Sequence, residues 1–172
     1  MDTISVLVTQ TKSAYEWFNK LALSVPKDEW EYSPNVMETN IAWQVGHQII
    51  SYYYHSILSI TGHQPDVFEQ VPIRKYADWY TFKSTASQTN DKDTVGNLEK
   101  NLLFMQAKSL EIIQNLSPDD LDKSLEPLDQ PHPVAKTKFE AIDWNIKHTL
   151  WHCGQIAMLK RVMNNPYSFG LN

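Results

Sequence analysis

The chain has 172 residues, of which 42% are hydrophobic, and its 15 basic and 20 acidic residues leave a net charge of −5. This length and hydrophobic content fit one folded domain over residues 1–172 and argue against a disordered chain. The acidic balance, without any basic cluster in the sequence, argues against a nucleic-acid partner.

The first two predicted helices are bounded by clear local signals. The first runs from about residue 2 to residue 23, because its apolar residues follow the three- and four-residue spacing of one helical face. The second begins after Thr39 or Asn40, either of which is a suitable N-cap, and continues to about Thr61, before Gly62.

The second helix lies in a stretch without Asp, Glu, Lys or Arg, from Thr39 to Pro65. A membrane span is one explanation of such a stretch, but its polar side chains would have no partners in hydrocarbon. These side chains are Asn40, Gln44, His47, Gln48, Ser51, His55 and Ser56. We therefore expect a buried helix of a bundle and no membrane association.

About 30 residues, 62–91, connect the second helix to the third, and they include a short extra helix expected at 76–83. Antiparallel neighbours in a bundle are usually joined by two to eight residues, so this connection is expected to cross the bundle and set the two helices parallel. The third helix is predicted over about 92–116.

The fourth helix has the best start signal in the chain. Thr137 and Glu140 form a capping box, and the helix should reach about Met163. Alternating strand patterns and Asn-Gly or Asp-Gly turns are missing from the sequence. The sequence therefore predicts an all-α fold: a four-helix bundle with a long crossover between helices two and three.

Two histidines of the fourth helix, His148 and His152, are four residues apart and lie on one helical face. A third imidazole, His47, lies in the charge-free second helix. Three such groups could hold a metal ion, whereas a single buried histidine is more often a core residue held by a hydrogen bond. Both interpretations stay open from spacing alone. Gly46 and Gly154, close to these histidines, suggest a close approach of the two helices there.

His55, His63 and His132 are interpreted as structural histidines, since they lie near helix ends or in loops. His55 is also about 12 Å along the helix from His47, so the two cannot share one ion. Cys153 is the only cysteine, which excludes an intramolecular disulfide and, with no leader pattern at the start, favours a cytoplasmic location. We expect its side chain to be buried rather than nucleophilic.

Spacing excludes two other kinds of metal site. A His-Glu-x-x-His peptidase needs a glutamate where this chain has Thr149. A di-iron bundle needs a glutamate three residues before its histidines, and this chain has Gln44, Tyr52, Asn145 and Thr149 at those positions. A carboxylate that must serve as general base is not evident either.

Polar and aromatic neighbours of the histidines are candidates for further roles. Gln44 and Gln155 could orient a ring or a substrate, although both amides could equally face solvent. Tyr53 and Tyr54 could supply a hydroxyl acid. Three tryptophans could line an apolar pocket or simply fill the core, namely Trp43, Trp144 and Trp151.

The pattern Trp43-x-x-x-His47 on the second helix, with His148-x-x-x-His152 on the last, resembles the DinB-like superfamily, which includes YfiT-type proteins described as metal-dependent hydrolases. The resemblance extends over nearly the whole chain in helix order and motif placement. It implies one divalent metal ion held by His47, His148 and His152.

The same resemblance implies a chemistry. The superfamily includes S-transferases that use low-molecular-weight thiols, so a small-molecule substrate and a thiol cosubstrate are expected. Zn²⁺ and Ni²⁺ suit three imidazoles best. One departure is Cys153, where relatives often carry a basic residue, and it leaves the substrate class open. The alternative is a non-catalytic bundle with a structural or vestigial metal. A homodimer is expected in either case.

Overall fold

The computed structural model of the chain describes residues 2–170, which form helices and loops with one isolated β-bridge. Helix α1 (Thr3–Ala22) begins after Asp2, whose carboxylate accepts a hydrogen bond from the backbone N–H of Ser5. Its buried face carries the apolar stripe seen in the sequence. The all-α prediction is confirmed for the described part of the chain.

The predicted second helix contains a wider turn. Helix α2 (Ile41–Tyr52) begins after Asn40, whose side chain accepts a hydrogen bond from the backbone N–H of Trp43. A π-helical segment (Tyr53–Leu58) follows, and α3 (Ser59–Thr61) completes the element. Because a π-helical turn holds more residues than an α-helical one, the segment changes the direction of the side chains that follow it.

The long connection to the next core helix contains α4 (Pro65–Gln70) and α5 (Ile73–Trp79). The extra helix expected at 76–83 was therefore placed too late. It begins three residues earlier because Ile73 and Tyr76, one turn apart, both pack into the core.

The remaining helices are α6 (Val95–Gln114), the short α7 (Pro118–Leu121) and α8 (Lys138–Val162). The capping box predicted for α8 is present: Thr137 Oγ1 accepts from the backbone N–H of Glu140, and the Glu140 carboxylate accepts from the backbone N–H of Thr137. The predicted ends of the long helices lie within three residues of the observed ones.

Helices α1 and α2 each pack against both α6 and α8. Asn40, before α2, donates a hydrogen bond to Asn90, before α6, and farther along the two elements Ser109 donates one to Ser56. The two elements therefore run parallel, which a long connection allows. Among the described helices, none combines the length and the apolar character that crossing a bilayer requires.

Candidate metal centre

Three histidines from α2 and α8 converge in the described structure. His47, His148 and His152 each offer a ring nitrogen, and these nitrogens lie within 4.8 Å of one another. The Nε2 atoms of His148 and His152 are 3.2 Å apart. Two nitrogens that bind one ion at about 2.05 Å in a tetrahedral site are separated by about 3.3 Å, so the observed spacing fits a shared ion.

A backbone carbonyl orients the ring of His47. Its Nδ1–H donates to the carbonyl oxygen of Tyr80 across 2.7 Å, which leaves the lone pair on Nε2. The ring also stacks on Trp43, with centroids 4.9 Å apart and planes inclined by 5°. These contacts hold His47 in one orientation with Nε2 available to an ion.

Gln44 orients the ring of His152. The amide nitrogen of Gln44 donates to Oγ1 of Thr39 and to Oε1 of Gln155, each at 2.9 Å. Its amide oxygen therefore accepts the bond from Nδ1–H of His152, at 2.6 Å. Of the two glutamines singled out in the sequence, Gln44 contacts the imidazole and Gln155 positions Gln44. Neither amide faces only solvent.

His148 is less constrained than the other two rings. Its Nδ1 is buried and makes no hydrogen bond to any residue between 2 and 170. An unpaired buried nitrogen costs free energy. An ion bound through Nε2 of His148 would leave this Nδ1 without a partner as well, so the support for a metal centre comes from the convergence of the three rings and not from the unpaired nitrogen.

Burial keeps these histidines neutral. It is the main cause that lowers the pKa of His148 to about 4 and the pKa of His152 to about 2, and the neighbouring imidazoles add to the effect. Burial also lowers the pKa of His47. A neutral imidazole is the form that binds a metal, so at neutral pH the three rings need not lose a proton first.

A cavity of about 530 Å³ lies beside the cluster and is lined by His47, His148 and His55. The described residues of its wall include no Asp, Glu, Lys or Arg. Apart from the histidines the wall is mostly apolar and aromatic, with Ile50, Tyr53, Tyr54, Ile73, Phe82 and Trp144. Of the three tryptophans considered, Trp144 lines the cavity, Trp43 stacks on a histidine, and Trp151 is 62% exposed on the outer face of α8.

The hydroxyls of Tyr53 and Tyr54 are both engaged elsewhere. The Tyr53 hydroxyl is 2.7 Å from Nδ1 of His63, and burial raises the pKa of Tyr53 to about 12. The Tyr54 hydroxyl donates to the carbonyl oxygen of Gln130 at 3.0 Å. In this arrangement neither hydroxyl is well placed as the acid considered from the sequence.

His55 and His132, interpreted as structural residues from the sequence, form a pair at the cavity. Nδ1 of His55 is 2.7 Å from Nε2 of His132, and the His55 ring centre is 5.4 Å from that of His148. In a straight α-helix His55 would be turned by about 80° from His47. The π-helical segment reduces this offset. The eight-residue spacing from His47 to His55 was the only sequence signal that could place both rings near the cavity. The local sequence does not reveal the wider π-helical turn that brings His55 there.

The two glycines do not mark a contact between α2 and α8, so that prediction was wrong. A Cβ atom on Gly46 would overlap the ring of Tyr80. The close approach there is made by the connection between α2 and α6. A Cβ atom on Gly154, which is exposed, would have no described atom within 4 Å beyond its chain neighbours and the backbone of its own helix. Gly46 therefore matters because it admits Tyr80, whose carbonyl holds His47.

Cys153 is buried, as expected, and burial raises its pKa to about 12. A thiol with so high a pKa is almost entirely protonated at neutral pH and is a poor nucleophile. A thiol used in a reaction at this site would therefore come from outside the chain.

Comparison of the sequence with known protein families identifies the family of this chain. The model of the DinB superfamily matches residues 10–156, most of the chain and all three histidines of the cluster. The chain belongs to the DinB superfamily. The resemblance noted from its histidine pattern is thereby confirmed.

A solved structure shares the fold of this chain. The crystal structure of a conserved protein from Enterococcus faecalis is similar with a TM-score of 0.72, over 94% of this chain and 97% of that one. The two sequences are 15% identical, so the likeness concerns the fold alone. A search of curated proteins finds no match to this DinB-superfamily chain.

Proposed function

We propose that this DinB-superfamily protein is a divalent-metal-dependent enzyme that transfers a low-molecular-weight thiol to a small electrophile, or hydrolyses such a molecule. The observation that carries the proposal is the convergence of His47, His148 and His152 beside a cavity that two of them line. Three protein ligands and an accessible fourth side are typical of catalytic metal sites, whereas structural sites are usually closed by four.

Zn²⁺ or Ni²⁺ would suit the three nitrogens. A bound divalent ion lowers the pKa of a water or thiol beside it and so supplies a nucleophile near neutral pH. The Tyr80 carbonyl and the Gln44 amide fix the orientation of the His47 and His152 rings. The aromatic wall of the cavity would exclude water from around the apolar part of a substrate.

The wall of the cavity also supports a substrate class. Because its described side chains carry no charged group, a charged group of a substrate that lies away from the proposed metal ion would lose its hydration there without gaining a partner. We therefore propose an uncharged, largely apolar electrophile. Charged groups of a thiol cosubstrate would stay at the solvent side of the opening. The proposed cytoplasmic location would keep such a thiol reduced.

Metal analysis of the purified protein tests the candidate ligands. We expect close to one divalent ion per chain and its loss in His148→Ala and His152→Ala. His63→Ala is the matched control, because this histidine lies outside the cluster and pairs with Tyr53. Metal-free protein whose melting temperature does not change on addition of Zn²⁺ or Ni²⁺ would contradict the proposal.

Turnover needs a separate experiment. Thiols of different charge can be tested with 1-chloro-2,4-dinitrobenzene, which forms a coloured thioether, and hydrolysis with p-nitrophenyl acetate. Metal-loaded wild type should turn over at least one pair, while chelated wild type and His148→Ala should not. Metal binding without metal-dependent turnover in any pair would favour the non-catalytic alternative.

One specific observation supports a homodimer, which is compatible with either function. Helix α8 exposes Leu150, Trp151 and Met158, with 46%, 62% and 57% of their surface accessible. We propose that this face mediates a homodimer, with or without catalysis. Sedimentation equilibrium should show a dimer for wild type and a monomer for Trp151→Glu, with Lys147→Glu on the same helix as the charge control. A monomeric wild type would contradict the dimer.

A further inference from the structure

His55, in the wall of the cavity, forms a second histidine pair with His132 that the candidate metal cluster does not use. We infer that His55 is a hydrogen-bond donor, held in one tautomer by His132, that orients an uncharged substrate through an acceptor oxygen. The inference rests on the proposed function, because it assumes that the cavity binds an uncharged, largely apolar substrate. It adds a positioning group and a chemical feature of the substrate.

The tautomer of His132 is set by the backbone. The N–H groups of Val134 and Ala135 both point at Nδ1 of His132, at 3.3 and 2.9 Å. A backbone N–H can only donate, so this Nδ1 carries the lone pair and the proton of the neutral ring is on Nε2. Nε2–H of His132 therefore donates to Nδ1 of His55 across 2.7 Å.

The tautomer of His55 follows from that bond. Because its Nδ1 accepts, its own proton is on Nε2, which makes no hydrogen bond to a residue between 2 and 170. A cationic His55 would place a second N–H against that of His132. Burial, and then the neighbouring imidazoles of His132, His148 and His47, lower the pKa of His55 in the same sense.

The same bonds exclude His55 as a fourth metal ligand. A ligating Nε2 must be free of its proton, which would move the proton to Nδ1 and leave two donors facing each other. His55 accordingly lies outside the cluster of three converging nitrogens, while its ring centre is only 5.4 Å from that of His148. It presents an N–H, and not a lone pair, beside the candidate metal centre.

Aromatic contacts hold the pair in place. The ring of Tyr54 stacks on His132, with centroids 5.4 Å apart and planes inclined by 8°. Trp144 meets His55 edge to face, with centroids 6.5 Å apart. A fixed N–H in a wall without charged groups matches a neutral, mainly apolar molecule with a carbonyl or similar acceptor oxygen.

Two probes of nearly the same shape test the donor. Acetophenone carries a carbonyl oxygen where α-methylstyrene carries a CH₂ group. Binding of each is followed by NMR titration of chelator-treated protein, so that no metal contacts the oxygen. His55→Phe should weaken acetophenone binding by about two- to tenfold relative to α-methylstyrene, the usual range for one net hydrogen bond. His63→Phe is the control and should change neither.

The main readout of a second measurement comes from the wild type. Long-range ¹H–¹⁵N spectra of wild type should show the His55 ring protonated at Nε2, and His132→Phe should release that preference. Protonation at Nδ1 in wild type, no detectable acetophenone binding, or an equal loss for both probes in His55→Phe would each overturn the inference. Because the protein is metal-free throughout, these outcomes are independent of the tests of metal binding and turnover.

Discussion

Gln44 on α2 accepts a hydrogen bond from Nδ1–H of His152 on α8 across 2.6 Å, so one helix sets the tautomer of a histidine on another. The Gln44 amide cannot be reversed without loss, because its nitrogen donates to Thr39 and Gln155. Partners of this kind typically change metal affinity by about 10- to 100-fold when removed.

We therefore expect Gln44→Leu to weaken Zn²⁺ binding by about 10- to 100-fold, measured by competition with a chelating dye. Gln44→Glu keeps an acceptor and should retain most of the affinity. Gln48→Leu is the matched control, because Gln48 is buried one turn farther along α2 and its amide has no partner in the described structure. Equal losses in Gln44→Leu and Gln48→Leu would contradict a specific role for Gln44.

The two glycines near the candidate ligands should respond oppositely to alanine. Gly46→Ala places a Cβ in the ring of Tyr80 and should lower the free energy of unfolding by about 1–3 kcal/mol, the usual cost of overpacking. It should also weaken metal binding, since Tyr80 holds His47. Gly154→Ala has open space in a helix and should raise the free energy of unfolding by up to about 1 kcal/mol. Urea denaturation measures both, and a stabilised Gly46→Ala would refute the contact.

The metal-free protein should lose stability on acidification at pH values well above those at which carboxylates titrate. Burial lowers the pKa of five histidines, which are His47, His55, His132, His148 and His152. Their unfolded forms bind protons near the ordinary pKa of 6.5 while the folded forms stay neutral. Stability is therefore fully present above pH 6.5 and is lost as the pH falls toward about 4, where His148 titrates in the folded state.

Each such histidine contributes at most about 1.4 kcal/mol per pH unit in this window. Urea denaturation at a series of pH values between 7.5 and 5, with chelator present, would measure the slope. His148→Gln should flatten it, because the amide does not titrate. A free energy of unfolding that stays constant over this range would show that the rings are not held neutral by the fold.

The polar groups inside the core also differ in what their loss should do. The amide of Gln48 has no partner in the described structure, so Gln48→Met should leave the free energy of unfolding unchanged or raise it. Asn145 donates to the buried hydroxyl of Tyr15 at 2.9 Å, while its own Oδ1 has no partner in the described structure. Asn145→Leu should cost at most about 1–3 kcal/mol, because it leaves the hydroxyl with one partner fewer but also removes the unpaired oxygen. Thermal or urea denaturation that ranks the two variants the other way would contradict these assignments.

Local sequence determined the long helices and part of the candidate site. The three- and four-residue apolar spacing, the Asn40 cap and the Thr137 capping box act within one or two turns, so they could be read without knowing the fold. The pairing of His148 with His152 is likewise a property of one helix.

Only the tertiary structure decided which other groups join that pair. The choice between His47 and His55 depends on how α2 packs against α8 and on a π-helical turn that no local pattern announces. The Tyr80 carbonyl comes to His47 from the connection between α2 and α6. His132 is 77 residues from the histidine it holds. Such contacts arise from packing between distant segments. The histidine pattern, through its family resemblance, predicted the candidate ligands but neither their tautomers nor the second histidine pair.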